Sequence, residues 1–118
     1  MTLQLKPKRV VLDMSATDYL RILGGPPESV SIRSGLVVLK ACESVGRHST
    51  GSFEEMLVVL EGDGEMIFSD GSVMQLSAHT VAYCPPETEH DVRNSGKGTL
   101  RYIYMVAKAL WQEDENNG

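Results

Sequence analysis

No apolar run in this chain approaches the roughly 20 residues that a membrane-spanning helix needs. The N-terminus offers only Val10-Val11-Leu12 between its charged residues and Asp13, too little for the core of a secretory signal. A cytoplasmic protein is expected. Basic residues are also few: 11 Lys and Arg stand against 16 Asp and Glu, a formal net charge of −5. Apart from Lys6, Lys8 and Arg9 they are scattered, and that cluster reads as a solvated arm. Nucleic acid and anionic membranes require a basic patch, so neither is expected as a partner. Cysteine is limited to Cys42 and Cys84, without zinc-like spacing. Both fall in predicted strands and read as small core hydrophobes, with a disulfide disfavoured in a reducing compartment. There is no internal repeat, no low-complexity tract, and at 118 residues room for one domain and one core.

What is present is a series of short apolar stretches divided by turn residues. Residues 1 to 14 read as an extended arm, with Val10-Val11-Leu12 as a short strand or a segment that pairs with something else. Ser15 to Asp18 reads as an N-cap with an acidic third position, and Tyr19, Leu20, Ile22 and Leu23 as a short peripheral helix stopped by Gly24-Gly25-Pro26-Pro27. Strands follow at 30–34 and 36–43, divided near Gly35, then at 56–60, 65–69, 73–76, 81–84, 90–93 and 100–107. Asp70-Gly71 is the strongest hairpin signal and suggests a type I′ turn. Pro85 to Thr88 must be a turn, because proline cannot donate to a sheet ladder. Evenly spaced short strands imply an all-β sandwich or barrel. The organisation expected is an N-terminal arm and short helix over 1–29, a barrel over 30–107 and an acidic, frayed tail over 108–118 that includes Trp111.

The chemical centre lies between Gly46 and Gly64, where His48 and two adjacent carboxylates precede a buried apolar strand. If that segment lines a barrel, His48 and either Glu54 or Glu55 can converge. A carboxylate buried there needs a cation or hydrogen-bond donors to offset its lost hydration. A second segment, Pro85 to Asn94, brings His90 near the start of another strand.

Together the two segments resemble the paired motifs of the cupin superfamily. In the first, G-x5-H-x-H-x(3 or 4)-E-x6-G, His48, Glu55 and Gly62 fall at the required spacing, with Cys42 at the first Gly and Thr50 at the second His. In the second, G-x5-P-x-G-x2-H-x3-N, Pro85, His90 and Asn94 match, with His79 and Glu87 at the two glycines. The likeness spans roughly residues 35 to 106 and selects Glu55 over Glu54, since only Glu55 lies at the required distance from Gly62.

The resemblance implies a double-stranded β-helix, a cupin or jelly-roll barrel, that pairs as a homodimer; because dimerisation removes the liability of an unpaired edge strand, Val10-Val11-Leu12 is the candidate segment for reaching into the partner. It also implies one divalent metal, Fe(II), Mn, Zn or Ni, held by His48, Glu55 and His90. That two-His-one-carboxylate set leaves positions open. Thr50 is a poor ligand beside imidazole and is expected to bond to metal-bound water or pack as wall. Tyr83, Tyr102 and Tyr104 are candidates to line the cavity, and Arg47, Arg93 or Arg101 to bind a carboxylate substrate. His79 is expected at the surface. Three readings remain open: an enzyme of dioxygenase, isomerase or lyase type acting on a small organic ligand, a non-catalytic module that binds a metabolite or metal, and a barrel filled by its own side chains.

Overall fold

A computed structural model describes residues 3–109, and the tail expected from residue 110 onward lies outside the described residues. Eight strands account for the regular structure: β1 Leu20–Gly24, β2 Arg33–Leu39, β3 Phe53–Glu61, β4 Asp63–Phe68, β5 Val73–Ser77, β6 Val81–Cys84, β7 His90–Asn94 and β8 Leu100–Lys108. They form two antiparallel sheets, one ordered β1-β2-β8-β3-β6 and the other β5-β4-β7. The architecture is all-β, a double-stranded β-helix in which the two sheets close on a shared interior. Among the described residues no helix is long and apolar enough to cross a membrane.

Strand parity decides what each sheet turns inward. Leu39, Val37, Gly35 and Arg33 of β2 stand opposite Leu100, Tyr102, Tyr104 and Val106 of β8. Glu55, Leu57 and Val59 of β3 oppose Val106, Tyr104 and Tyr102 from the other side. Directly paired residues share a face. The smaller sheet contributes Met66 and Val92, which are register partners, and Leu76. With Ala82 and Cys84 of β6 these residues make one buried cluster, in which Leu57, Val59, Met66, Cys84 and Leu100 are fully enclosed.

Several local expectations are corrected. The segment expected as a helix over Ser15 to Leu23 is a turn followed by β1, which pairs with β2. Asp13, not Ser15, organises that turn: its carboxylate accepts the Ser15 amide at 3.0 Å and hydroxyl at 2.6 Å. A helix so short is marginal by itself, whereas the open edge of β2 satisfies the backbone of Leu20 to Gly24 at once. Val10 to Leu12 forms no strand, and Val11 is 77 % exposed. Gly35 does not divide two strands but lies buried within β2. Cys42 is exposed in a turn, while Cys84 is buried, and both thiols are free.

The β4–β5 hairpin forms as expected but not with a type I′ turn. The Gly71 amide donates to the Phe68 carbonyl at 2.9 Å, and Gly71 is left-handed (φ 88°) while Asp70 is not. This is a type I turn closed by a glycine bulge. Gly62, between β3 and β4, has two reasons to be glycine: its φ is 88°, and a Cβ there would overlap the Thr99 carbonyl oxygen.

Candidate metal centre and cavity

His48 and His90 are brought together by backbone pairing. Each amide donates to the other residue's carbonyl at 2.9 Å, an isolated bridge that docks the segment before β3 onto the start of β7. Opposed residues of an antiparallel pair project the same way, and the two imidazole centroids lie 4.6 Å apart. Glu55, on the inward face of β3, meets them from the opposite sheet. One donor atom from each of His48, Glu55 and His90 falls within 4.8 Å of the others.

The interior makes this cluster costly unless its charge is answered. His90 is 0 % and Glu55 7 % exposed, and an isolated buried carboxylate loses its hydration without return. Glu55 Oε1 lies 2.9 Å from His90 Nε2. His90 Nδ1 lies 2.9 Å from the Thr88 carbonyl oxygen and donates to it, which leaves one proton to be shared between Nε2 and the Glu55 carboxylate. The bond to Glu55 is the main cause of a His90 pKa raised above its ordinary value, against the opposing pull of burial.

The residues present fit a divalent ion. His48 Nδ1 donates to the Gly46 carbonyl at 2.8 Å, and His90 Nδ1 to that of Thr88. Carbonyl bonds at both Nδ1 atoms leave the Nε2 atoms as the free ligand positions, and that of His90 meets Glu55 at 2.9 Å, the arrangement that orients metal-binding imidazoles. The proton shared by His90 and Glu55 occupies the place a cation would take.

A cavity of ≈ 540 Å³ opens beside the cluster, lined by His48, Thr50, Glu55, Tyr102 and Tyr104, with valines from four segments. Thr50 is wall: its hydroxyl donates to the Phe53 carbonyl at 2.7 Å. Burial raises the pKa of both Tyr102 and Tyr104, so neither hydroxyl ionises near neutrality. Tyr83 is corrected: it projects from the outer face of β6, 52 % exposed, and donates to Glu54 at 2.8 Å. Its neighbours Ala82 and Cys84 take the inward positions, and a strand cannot turn consecutive side chains to one side. Cys84 Sγ lies 3.4 Å from His90 Nδ1, and burial pushes its thiol up to about 11, so it stays protonated and unreactive. His79 is exposed and apart from the cluster.

None of the three arginines singled out by sequence lines the cavity. Arg47 pairs with Glu89 at 3.4 Å at the surface, Arg101 binds Glu61 and the Ala16 carbonyl, and Arg93 is exposed. Arg33 and Tyr19 line it instead. Parity was the usable signal for Arg33, which is in phase with Gly35, Val37 and Leu39.

The non-glycine residues at motif glycine positions keep the backbone that glycine serves there. Cys42 (φ 71°), His79 (φ 70°) and Glu87 (φ 55°) are all left-handed. Asn94, the last motif residue, is 2 % exposed and wholly engaged with main chain: it donates to Leu39 and Gly98 carbonyls and accepts the Gly96 amide.

The family model described as "Cupin domain" matches residues 35–106. Among solved structures, an RmlC-like cupin family protein with a double-stranded β-helix fold from Methanocaldococcus jannaschii superposes with a TM-score of 0.73 at 13 % identity, over 86 % of this chain and 91 % of that one. A predicted oxalate decarboxylase from Thermotoga maritima gives 0.62 at 17 % identity, over 84 % and 99 %. The Schizosaccharomyces pombe Cnp3 cupin domain gives 0.68 at 18 % identity, covering 76 % of this chain and 63 % of that one, under two thirds of its length. At these identities the structural likeness speaks for the fold alone. No curated protein sequence matches the chain. With its family model spanning both motif segments and its two sheets closing as a double-stranded β-helix, the chain belongs to the cupin family.

Proposed function

We propose that this cupin binds one divalent metal ion through His48, Glu55 and His90 and takes a small organic ligand into the adjoining cavity. The observation that supports it most is the convergence of one donor atom from each of those three residues within 4.8 Å. A bound divalent ion would supply Lewis-acid polarisation of a ligand oxygen, or a site for oxygen chemistry if the metal is iron. The protein's own part is to orient the two imidazoles through the Gly46 and Thr88 carbonyls and to surround the ligand with apolar wall.

A dioxygenase or an isomerase or lyase suits such a set. The alternative, a module that binds metal and metabolite without turnover, draws support from the cavity itself: among the described residues the other titratable groups lining it are tyrosines and one arginine, with no second carboxylate or imidazole for acid–base work. Oxygen uptake and product formation across a panel of catechols, thiols and keto acids separate the two.

A second copy of the chain is proposed as a partner. Exposed Met56, Val81 and Tyr83 on the outer face of the larger sheet, and its open edges at β1 and β6, support that reading. The free Cys42 and Cys84 suit the reducing cytoplasm.

Elemental analysis of protein purified without a polyhistidine tag should find about one divalent ion per chain. His48→Ala and His90→Ala should each retain under about a tenth of it, and His79→Ala all of it. Equal metal content in the three variants overturns the ligand set.

A further inference from the structure

We infer that the ligand carries a carboxylate on an apolar body, and that Arg33 is the anchor for that carboxylate, assisted by the hydroxyl pair of Tyr19 and Tyr104. The inference deepens the small-molecule reading of the same cavity and rests on it. Arg33 starts β2 in phase with its inward-facing positions and, although exposed, is the one Lys or Arg lining the cavity among the described residues, at its mouth. Its guanidinium carbon lies 4.6 Å from the centre of the Phe53 ring, a contact that holds the side chain in place and consumes none of its five N–H donors. Among the described residues no carboxylate lies within ion-pair distance of it, whereas Arg21, Arg47 and Arg101 each have one.

Two further observations point to the same corner. Gly35 follows Arg33 by two residues on the same face, about 7 Å along the strand. Its missing Cβ leaves the seat in which the Tyr19 ring lies, since a Cβ there would overlap that ring and its hydroxyl. Tyr104 is the cross-strand partner of Gly35, and the two phenol oxygens are 2.7 Å apart. One hydroxyl proton makes that bond, and the other is left for a further acceptor. A guanidinium edge and a spare phenol proton thus meet at the rim of a pocket whose deeper wall is Val37, Val92, Val106 and Tyr102.

Charge agrees. Among the described residues Glu55 is the one carboxylate of the lining and is already answered by His90, or by a metal ion in the proposed holoprotein, so the exposed guanidinium of Arg33 faces the cavity mouth with no carboxylate set against it there. An apolar acid meets both halves of the site, and its neutral amide meets only one.

The test is calorimetric titration of phenylacetate and of phenylacetamide into wild-type protein, Arg33→Gln, Tyr104→Phe and His48→Ala. Wild type should favour the acid over the amide by about tenfold or more. Arg33→Gln should abolish that preference while retaining its metal, and Tyr104→Phe should reduce it by a smaller factor. His48→Ala separates this inference from the metal reading: a preference that survives there supports the Arg33 anchor even with no metal retained. Equal affinity for the two probes in wild type, no binding of either, or a preference that persists in Arg33→Gln would overturn the inference. So would a preference lost in His48→Ala but kept in Arg33→Gln, since the carboxylate would then be seated at the metal centre.

Discussion

His90 and Asn94 stand four residues apart on β7, face the same interior and are almost equally buried, at 0 % and 2 % exposure. Their hydrogen bonds differ in kind. Asn94 is held by main chain alone: the carbonyls of Leu39 and Gly98 and the amide of Gly96. None of those groups titrates or is replaceable, so Asn94 ties loops to the strand and does nothing else. His90 makes its deeper bond with a titratable side chain, Glu55, and shares with it a proton that the proposed metal ion would displace. One strand therefore carries a structural end and a chemical end, and the distinction lies in whether a buried polar group is satisfied by fixed or by exchangeable partners.

The sharpest way to break the comparison is at the structural end. Asn94→Ala removes a donor from the buried Leu39 carbonyl and the part-buried Gly98 carbonyl, and an acceptor from the part-buried Gly96 amide. It should cost about 3 kcal/mol of unfolding free energy, because groups left without partners lose their full desolvation penalty. Urea denaturation measures this, and metal content should stay at the wild-type value. A variant that loses its metal but not its stability would place Asn94 at the chemical end.

At the chemical end the corresponding signature is pH. The folded-state pKa of His90 is raised above 6.5, so its pairing with Glu55 stabilises the metal-free protein in full below that value. The contribution is lost as pH rises through the folded-state value. Between about pH 6.5 and 8, below the range in which an unfolded-chain cysteine ionises, metal-free wild type should lose stability more steeply than His90→Gln. Over the same range each displaced proton should tighten divalent-ion binding by up to tenfold per pH unit. Parallel stability slopes for the two proteins would mean that the shared proton is absent. The contribution of Asn94 should be flat throughout.

The same contrast explains what was legible in the sequence. The resemblance to the cupin motifs singled out His48, Glu55, His90 and Asn94, where the residues by themselves left Glu54 and Glu55 open, since the motifs encode positions along strands and strands convert position into direction. The all-β architecture followed from turn residues at regular intervals. Parity across a short strand was harder: β6 has only four residues, and Tyr83 as a large side chain invited an inward reading that Ala82 and Cys84 in fact take. Arg33 was passed over because it opens β2 as an isolated charge, and only the register against Val106 sets it at the cavity mouth. Tyr19 lay in a segment whose apolar spacing suits a helix as well as a strand, and the decision was made by the free edge of β2, which local sequence does not contain.

The smallest expected effect concerns backbone conformation near His90. Glu87 is left-handed with φ 55°, and its amide donates to the Gly51 carbonyl at 2.7 Å, tying the turn before β7 to the turn before β3. A non-glycine residue there is disfavoured by roughly 1–2 kcal/mol, and glycine would relieve that while adding entropy to the unfolded chain. Glu87→Gly should therefore gain about 0.5–1 kcal/mol in urea denaturation, and Glu87→Ala should gain nothing, since it keeps the Cβ. The informative reading is the metal content of the glycine variant. Thr88, whose carbonyl fixes the His90 ring, follows directly in this turn. A stabler protein that keeps its metal would make the strain at Glu87 incidental, whereas a stabler protein that loses it would mean the stiff turn is what aims His90, and that the chemical end of β7 depends on backbone as fixed as that around Asn94.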